Sequence, residues 1–133
     1  MKWITASDLE AWSDTLAARD TLPALVADLI RASSSDIDSF RFPSGDKAQV
    51  RGFDGSLAAK AALPFVPGGS SVWEFGVNKG AASKAAREYD NRTAQIAAAD
   101  RANMTFVFVS PRTWDNPSEK LDDWIRTKKE LKD

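Results

Sequence analysis

The sequence predicts an α/β fold, a mixed four-stranded sheet flanked by helices in the order αα-βββ-α-β-α. Three observations carry this. Leu22, Leu25, Val26, Leu29 and Ile30 recur at i, i+3, i+4, i+7 and i+8, the stripe of a helix that faces a core. Three short stretches, 37–42, 48–57 and 71–78, have strand character and are divided by Pro43-Ser44-Gly45 and by Pro64-Phe65-Val66-Pro67-Gly68-Gly69. An Ala-rich helical segment then leads to the apolar run Met104-Thr105-Phe106-Val107-Phe108-Val109, a return of about 25 residues, long enough for a right-handed crossover between parallel strands. A chain of 133 residues is expected to hold one domain around one core.

Taken in order, Ser7-Asp8-Leu9-Glu10 reads as a capping box opening a helix over roughly 7–19. Thr21-Leu22-Pro23 opens a second helix with Pro23 in its first turn, where the missing N–H costs nothing, and Ser33-Ser34-Ser35 ends it. The three strands form an antiparallel meander. In the third, Val72, Glu74 and Gly76 share one face and Trp73, Phe75 and Val77 the other, so Glu74 stands on an otherwise small, apolar face. The stretch from Ala81 to about Ala99 is helical by its alanine density. Residues 104–109 are apolar on both faces, which suits a central strand covered from two sides. Pro117-Ser118-Glu119 starts a last helix with Leu121, Trp124, Ile125 and Leu131 toward the core. The five tryptophans, Trp3, Trp12, Trp73, Trp114 and Trp124, are scattered and read as packing residues, as does Tyr89. The 64–69 loop is either a rigid element near an active edge or a connector.

With 0 Cys and 0 His, catalytic triads, Cys/His zinc sites and disulfides are excluded. Any acid, base or metal ligand comes from Asp, Glu, Lys or Tyr, and carboxylates select hard cations such as Mg²⁺ or Mn²⁺. No stretch is long and apolar enough to span a bilayer and the amino end lacks the layout of a signal peptide, so no membrane partner and a cytoplasmic location are expected. The net charge of −1 divides unevenly, with 7 acidic and 3 basic side chains in residues 1–38 and 12 and 15 in residues 39–133.

Two carboxylates stand out by context: Asp54 in Arg51-Gly52-Phe53-Asp54-Gly55 and Glu74 in Val72-Trp73-Glu74-Phe75-Gly76. Acidic residues are disfavoured inside strands and rarely buried without partners, so two on adjacent strands point to a shared cation or a shared catalytic duty. The alternative places Asp54 in an Asp-Gly turn and pairs Glu74 with Arg51. On the Ala-rich helix, Lys84, Arg87 and Arg92 present either a cationic side to a phosphate backbone or a solvated face shared with Glu88 and Asp90.

Gly52-Phe53-Asp54-Gly55, Pro64-Phe65-Val66-Pro67, Ser71-Val72-Trp73-Glu74-Phe75-Gly76-Val77, Lys84 with Tyr89 and Arg92-Thr93, and Thr105–Val109 followed by Ser110-Pro111 together resemble the PD-(D/E)xK nuclease superfamily, nearest to the Mrr-like restriction endonuclease domains at the amino ends of large bacterial defence proteins. The resemblance implies a restriction-endonuclease-like fold and Mg²⁺- or Mn²⁺-dependent hydrolysis of DNA phosphodiester bonds in anti-phage defence. Asp54 and Glu74 would be the metal ligands, and Lys84, Arg87 and Arg92 the nucleic-acid contacts. The family's lysine, two residues after the strand-three carboxylate, is replaced here by Gly76. Lys79 and Lys84 are the candidates for its role, and strand parity favours Lys84 unless a bulge at Gly76 resets the alternation. The missing lysine is also the sequence evidence for the alternative, a catalytically decayed module that binds nucleic acid or assembles with other chains. A small-molecule acid/base enzyme ranks behind both, since no phosphate-binding glycine loop is present. The charged end Lys128-Lys129-Glu130-Leu131-Lys132-Asp133, without a cap glycine, leads to the expectation of an amino-terminal part of a longer protein that works as a homo-oligomer or through assembly by a missing region.

Overall fold

Thr5, two residues ahead of the expected Ser7, caps the first helix. Its hydroxyl accepts the Asp8 N–H at 3.1 Å, and the Asp8 carboxylate accepts the Thr5 N–H at 2.9 Å. The computed structural model describes residues 3–34, 36–42 and 53–130. In it α1 (Ala6–Ser13) stops six residues short of the expected end, and α2 (Ala18–Ser33) begins correspondingly early. The break follows from side chains that draw carbonyls away from helix continuation: the Ser13 hydroxyl donates to Leu9 C=O and the Thr15 hydroxyl to Trp12 C=O, both at 2.7 Å. Pro23 therefore lies inside α2 rather than in its first turn, where it removes the donor that Arg19 C=O would otherwise receive. The buried stripe of α2 is Ala18, Leu22, Pro23, Ala27 and Ile30; Leu25 and Leu29 of the expected stripe face solvent.

The sheet comprises β1 (Ile37–Arg41), β2 (Gly55–Ala59), β3 (Gly69–Phe75) and β4 (Met104–Val109), with α3 (Ala81–Gln95) and the short α4 (Ala98–Arg101) between the last two strands and α5 (Leu121–Glu130) after them. Strand order is β1-β2-β3-β4. The first three form the expected antiparallel meander, and β3 pairs in parallel with β4. The architecture is thus α/β with a mixed four-stranded sheet flanked by helices.

Strand β4 is at the edge of this sheet, not at its centre. Its two-sided apolar pattern has another cause. Val107 and Val109 pack on the core with Trp73 and Phe75, while Phe106 on the opposite side meets the Tyr89 ring edge-on at 5.5 Å. Coverage of both faces, rather than a central place, selects the sequence.

The core lies on the α2 side, where Trp73, Phe75 and Val77 meet Ala18, Leu22, Ile30, Leu57, Ala59 and Val66. Trp73 keeps its indole N–H satisfied there by donating to the Ser71 hydroxyl at 2.8 Å. The other face of β3 receives α3. This helix starts at Gly80, whose φ of 87° suits glycine, and Asp115 rather than a local side chain caps it, accepting the Ala82 N–H at 2.9 Å. The expected single helix to residue 99 breaks at Ile96, because the Arg101 guanidinium takes the Thr93 and Ile96 carbonyls at 2.8 and 2.6 Å. Tyr89 is a packing residue as expected, edge-on to Trp124 and donating its hydroxyl to Lys128 C=O at 3.2 Å. Leu121 and Ile125 of α5 stay exposed, so Trp124 carries the packing of that helix; Leu131 lies outside the described residues. Trp3, expected to pack, is 77% exposed. The 64–69 segment is a connector at the Ala59–Gly69 end of the hairpin, the far end from Asp54.

Helix α1 buries little of itself and is held by Arg112. The Arg112 side chain, 7% exposed, donates to Val77 C=O at 2.6 Å, to Glu10 at 3.0 Å and to Asp14 at 2.7 Å, while Glu10 also accepts the Thr113 N–H at 2.7 Å. The Thr113 N–H and Arg112 hold Glu10 below the usual carboxylate range, and Arg112 does the same for Asp14. Depressed carboxylates stabilise the folded state above their unfolded pKa and lose that contribution as pH falls through the folded value. The expected outcome of Arg112→Gln is faster amide hydrogen exchange in residues 6–13 with the exchange of β2 and β3 unchanged, and wild-type α1 should lose protection first on acidification below about pH 4.

Candidate functional site

Asp54 occupies a bend immediately before β2 rather than the interior of a strand, so the Asp-Gly turn reading is the closer one for its backbone. Its side chain nevertheless joins the sheet: Oδ2 accepts the Phe75 N–H at 2.9 Å, one step beyond the Gly55–Trp73 pair that ends the β2–β3 ladder. The neighbouring Gly55 makes room for the ring of Phe42, with which a Cβ there would collide. The alternation along β3 turns Glu74 to the face opposite Trp73 and Phe75, as expected, and α3 closes over it until the residue is 2% exposed. The Asp54 carboxyl lies near enough to bear on that of Glu74. The sequence-predicted pair of carboxylates is therefore brought together.

The partner of Glu74 is Arg92, whose Nε donates to Oε1 at 2.6 Å. Arg51, the partner considered from the sequence, lies outside the described residues. Arg92 belongs to a row spaced by four on α3, one turn apart, that runs along Glu74 and Gly76. Lys84 Nζ stands 3.6 Å from Glu88, and Glu88 stands 3.8 Å from Arg92 Nη2. Arg92 Nη1 donates to the Gln95 side chain at 2.7 Å, and its guanidinium lies 5.0 Å from the centre of the Phe53 ring. Glu88, which the sequence weighed only as a sign of a solvated face against a cationic one, is the hinge of this row, and its spacing of four from both Lys84 and Arg92 was the available signal.

Gly76 has a specific role in the arrangement. A Cβ there would stand 3.0 Å from Lys84 Cδ and 3.0 Å from Phe108 Cζ, so the lysine stem occupies the space that a side chain at position 76 would take. Lys84 thus approaches from the helix, as parity suggested. Lys79 is exposed at the end of the following turn, where its charge bears on Asp14 of α1, and it is not brought to Glu74. Arg87 is exposed on α3 outside the row, and Arg92 points inward to Glu74.

Burial pushes the Glu74 carboxyl up to about 8, the hydrogen bond and charge of Asp54 add to this, and Arg92 opposes it. The donor set is two hard carboxylates near each other, the chemistry of Mg²⁺ or Mn²⁺ ligation, and it fits such an ion as far as two ligands go. Among the described residues no group of three or more Asp, Glu, His or Cys clusters for a metal, and no helix is long and apolar enough to cross a membrane. A scan against protein-family models finds no match, and comparisons with curated proteins and with solved structures find none either.

Two outcomes follow. A carboxyl whose pKa is raised on folding stabilises the protein fully below its unfolded pKa and loses that contribution as pH rises through the folded value. Stability should therefore decline between about pH 4.5 and about pH 8, with a slope of at most about 1.4 kcal/mol per pH unit from this one proton, and Glu74→Gln should flatten the decline in denaturant titrations. Gly76→Ala should cost about 1 kcal/mol by crowding Phe108 and displacing the Lys84 stem, read as a lower denaturation midpoint at unchanged slope.

Proposed function

We propose that this chain is a nuclease-like domain that hydrolyses DNA phosphodiester bonds with a divalent cation at Asp54 and Glu74. The observation that supports the reading best is Asp54 anchored on the Phe75 N–H next to the buried Glu74, with the Lys84 stem over Gly76 in the space where the resembling nucleases carry their lysine. Asp54 and Glu74 would hold the ion, and Mg²⁺ or Mn²⁺ bound there would supply charge for the scissile phosphate and an activated water. The Phe75 N–H orients Asp54, and α3 excludes water from Glu74. Lys84, whose ammonium reaches Glu88 and is the most exposed member of the row, is the group placed to meet an anion entering from solvent. DNA as substrate and a role in anti-phage defence rest on the resemblance of the motifs.

One observation favours a second reading. Arg92 forms an ion pair with the buried Glu74, as in a structural pair of a catalytically silent module.

Plasmid cleavage with Mg²⁺ against an EDTA control separates the two. Under the nuclease reading, cleavage occurs only with the metal, and Asp54→Ala and Glu74→Ala each abolish it while circular dichroism stays native. Lys84→Ala should reduce cleavage by about tenfold or more, the scale of one well-placed charge-assisted contact, and Lys79→Ala should leave it near wild type. Absence of metal-dependent cleavage under all conditions sinks the nuclease reading in favour of the silent module.

A further inference from the structure

The short contact between Arg92 Nε and Glu74 Oε1 puts a fixed cation on an oxygen that a divalent ion would need. At 2.6 Å the bond is charge-assisted and buried, with Arg92 14% and Glu74 3% exposed in their side chains. A guanidinium and a divalent cation on one carboxylate repel each other strongly where water is excluded. The two therefore compete.

Arg92 also has partners on its own helix. Its Nη1 already donates to Gln95 at 2.7 Å and its Nη2 lies 3.8 Å from Glu88, both on its own helix, and the Phe53 ring covers its plane. A change of side-chain torsions that releases Nε from Glu74 leaves these helix partners within reach, so neither a backbone movement nor the loss of every counter-ion is required. Glu88, already bridging to Lys84, can then take the larger share of the Arg92 charge.

We infer that Arg92 is an internal competitor for the divalent cation: the Glu74–Arg92 ion pair keeps the carboxylate site closed, and metal loading proceeds by displacement of the guanidinium toward Glu88 and Gln95. The inference rests on the metal-site reading above and adds its regulation. It assigns Arg92 the part of a positioning residue for Glu74, not a surface contact to nucleic acid.

The test is calorimetric titration of Mg²⁺ into the whole chain at pH 9, where the Glu74 proton competes least. Wild type, Arg92→Gln, Arg92→Lys and Asp54→Asn are compared. Arg92→Gln should bind Mg²⁺ about tenfold more tightly than wild type, the equivalent of one charge-assisted hydrogen bond removed from the competing state. Arg92→Lys should fall between the two, and Asp54→Asn should lose binding. Equal or weaker binding by Arg92→Gln, with binding still lost in Asp54→Asn, overturns the competitor role and leaves the metal site standing. No heat from wild type or from either Arg92 variant overturns the metal site and the competitor role together. Should circular dichroism show Arg92→Gln misfolded, Arg92→Lys decides alone: about threefold or greater tightening supports the competitor, since the ammonium lacks the planar Nε–H fork, and an unchanged Kd overturns it.

Discussion

A carboxyl group 2% exposed between a sheet and a helix sets the terms for everything around it. An ionised carboxylate there has lost nearly all its water, and only close partners or a proton make the position tenable. Both solutions are in place around Glu74: Arg92 on one oxygen, and Asp54 close enough to favour a retained proton. The requirement propagates outward. Arg92 needs α3 to lie against β3, α3 needs small residues to come that close, and Ala81, Ala82 and Ala85 are the ones it buries. Gly76 completes the fit by leaving room for the Lys84 stem.

The two faces of β3 thus answer to different physics. Toward α2, Trp73, Phe75 and Val77 bury apolar area, which is non-directional and tolerant of substitution by volume. Toward α3, the packing is directional: a chain of charged groups from Asp54 through Glu74, Arg92 and Glu88 to Lys84 whose members depend on one another. The candidate carboxylates lie on the second face, and the first supplies apolar packing beneath them.

Much of this was legible in the chain. The alternation of 72–77 named the face of Glu74, the meander and its parallel return were readable from turn residues and crossover length, and the approach of Asp54 to Glu74 was one of two readings the sequence left open. What could not be read depended on distance in sequence. The start of α1 was misplaced because Thr5-x-x-Asp8 and Ser7-x-x-Glu10 both satisfy the capping pattern, and the second is claimed by Arg112, more than a hundred residues away from Glu10. The edge position of β4 was hidden because two covered faces produce the same residue pattern as a central place. Arg92 was seen as a surface cation because local spacing cannot tell a side chain that solvates a helix from one that reaches a buried acid on another element.

The Arg112 clasp also orders the assembly of the chain in time. Helix α1 is synthesised well before its anchors, Arg112 and Thr113, which lie 102 and 103 residues beyond Glu10 and past the last strand. The same guanidinium also donates to Val77 C=O, just past the end of β3. The contact that fixes α1 therefore joins groups 102 residues apart, a closure that costs more chain entropy than a local contact does. Helix α1 is thus made before the residues that secure it, and until they arrive its apolar side chains lack that clasp.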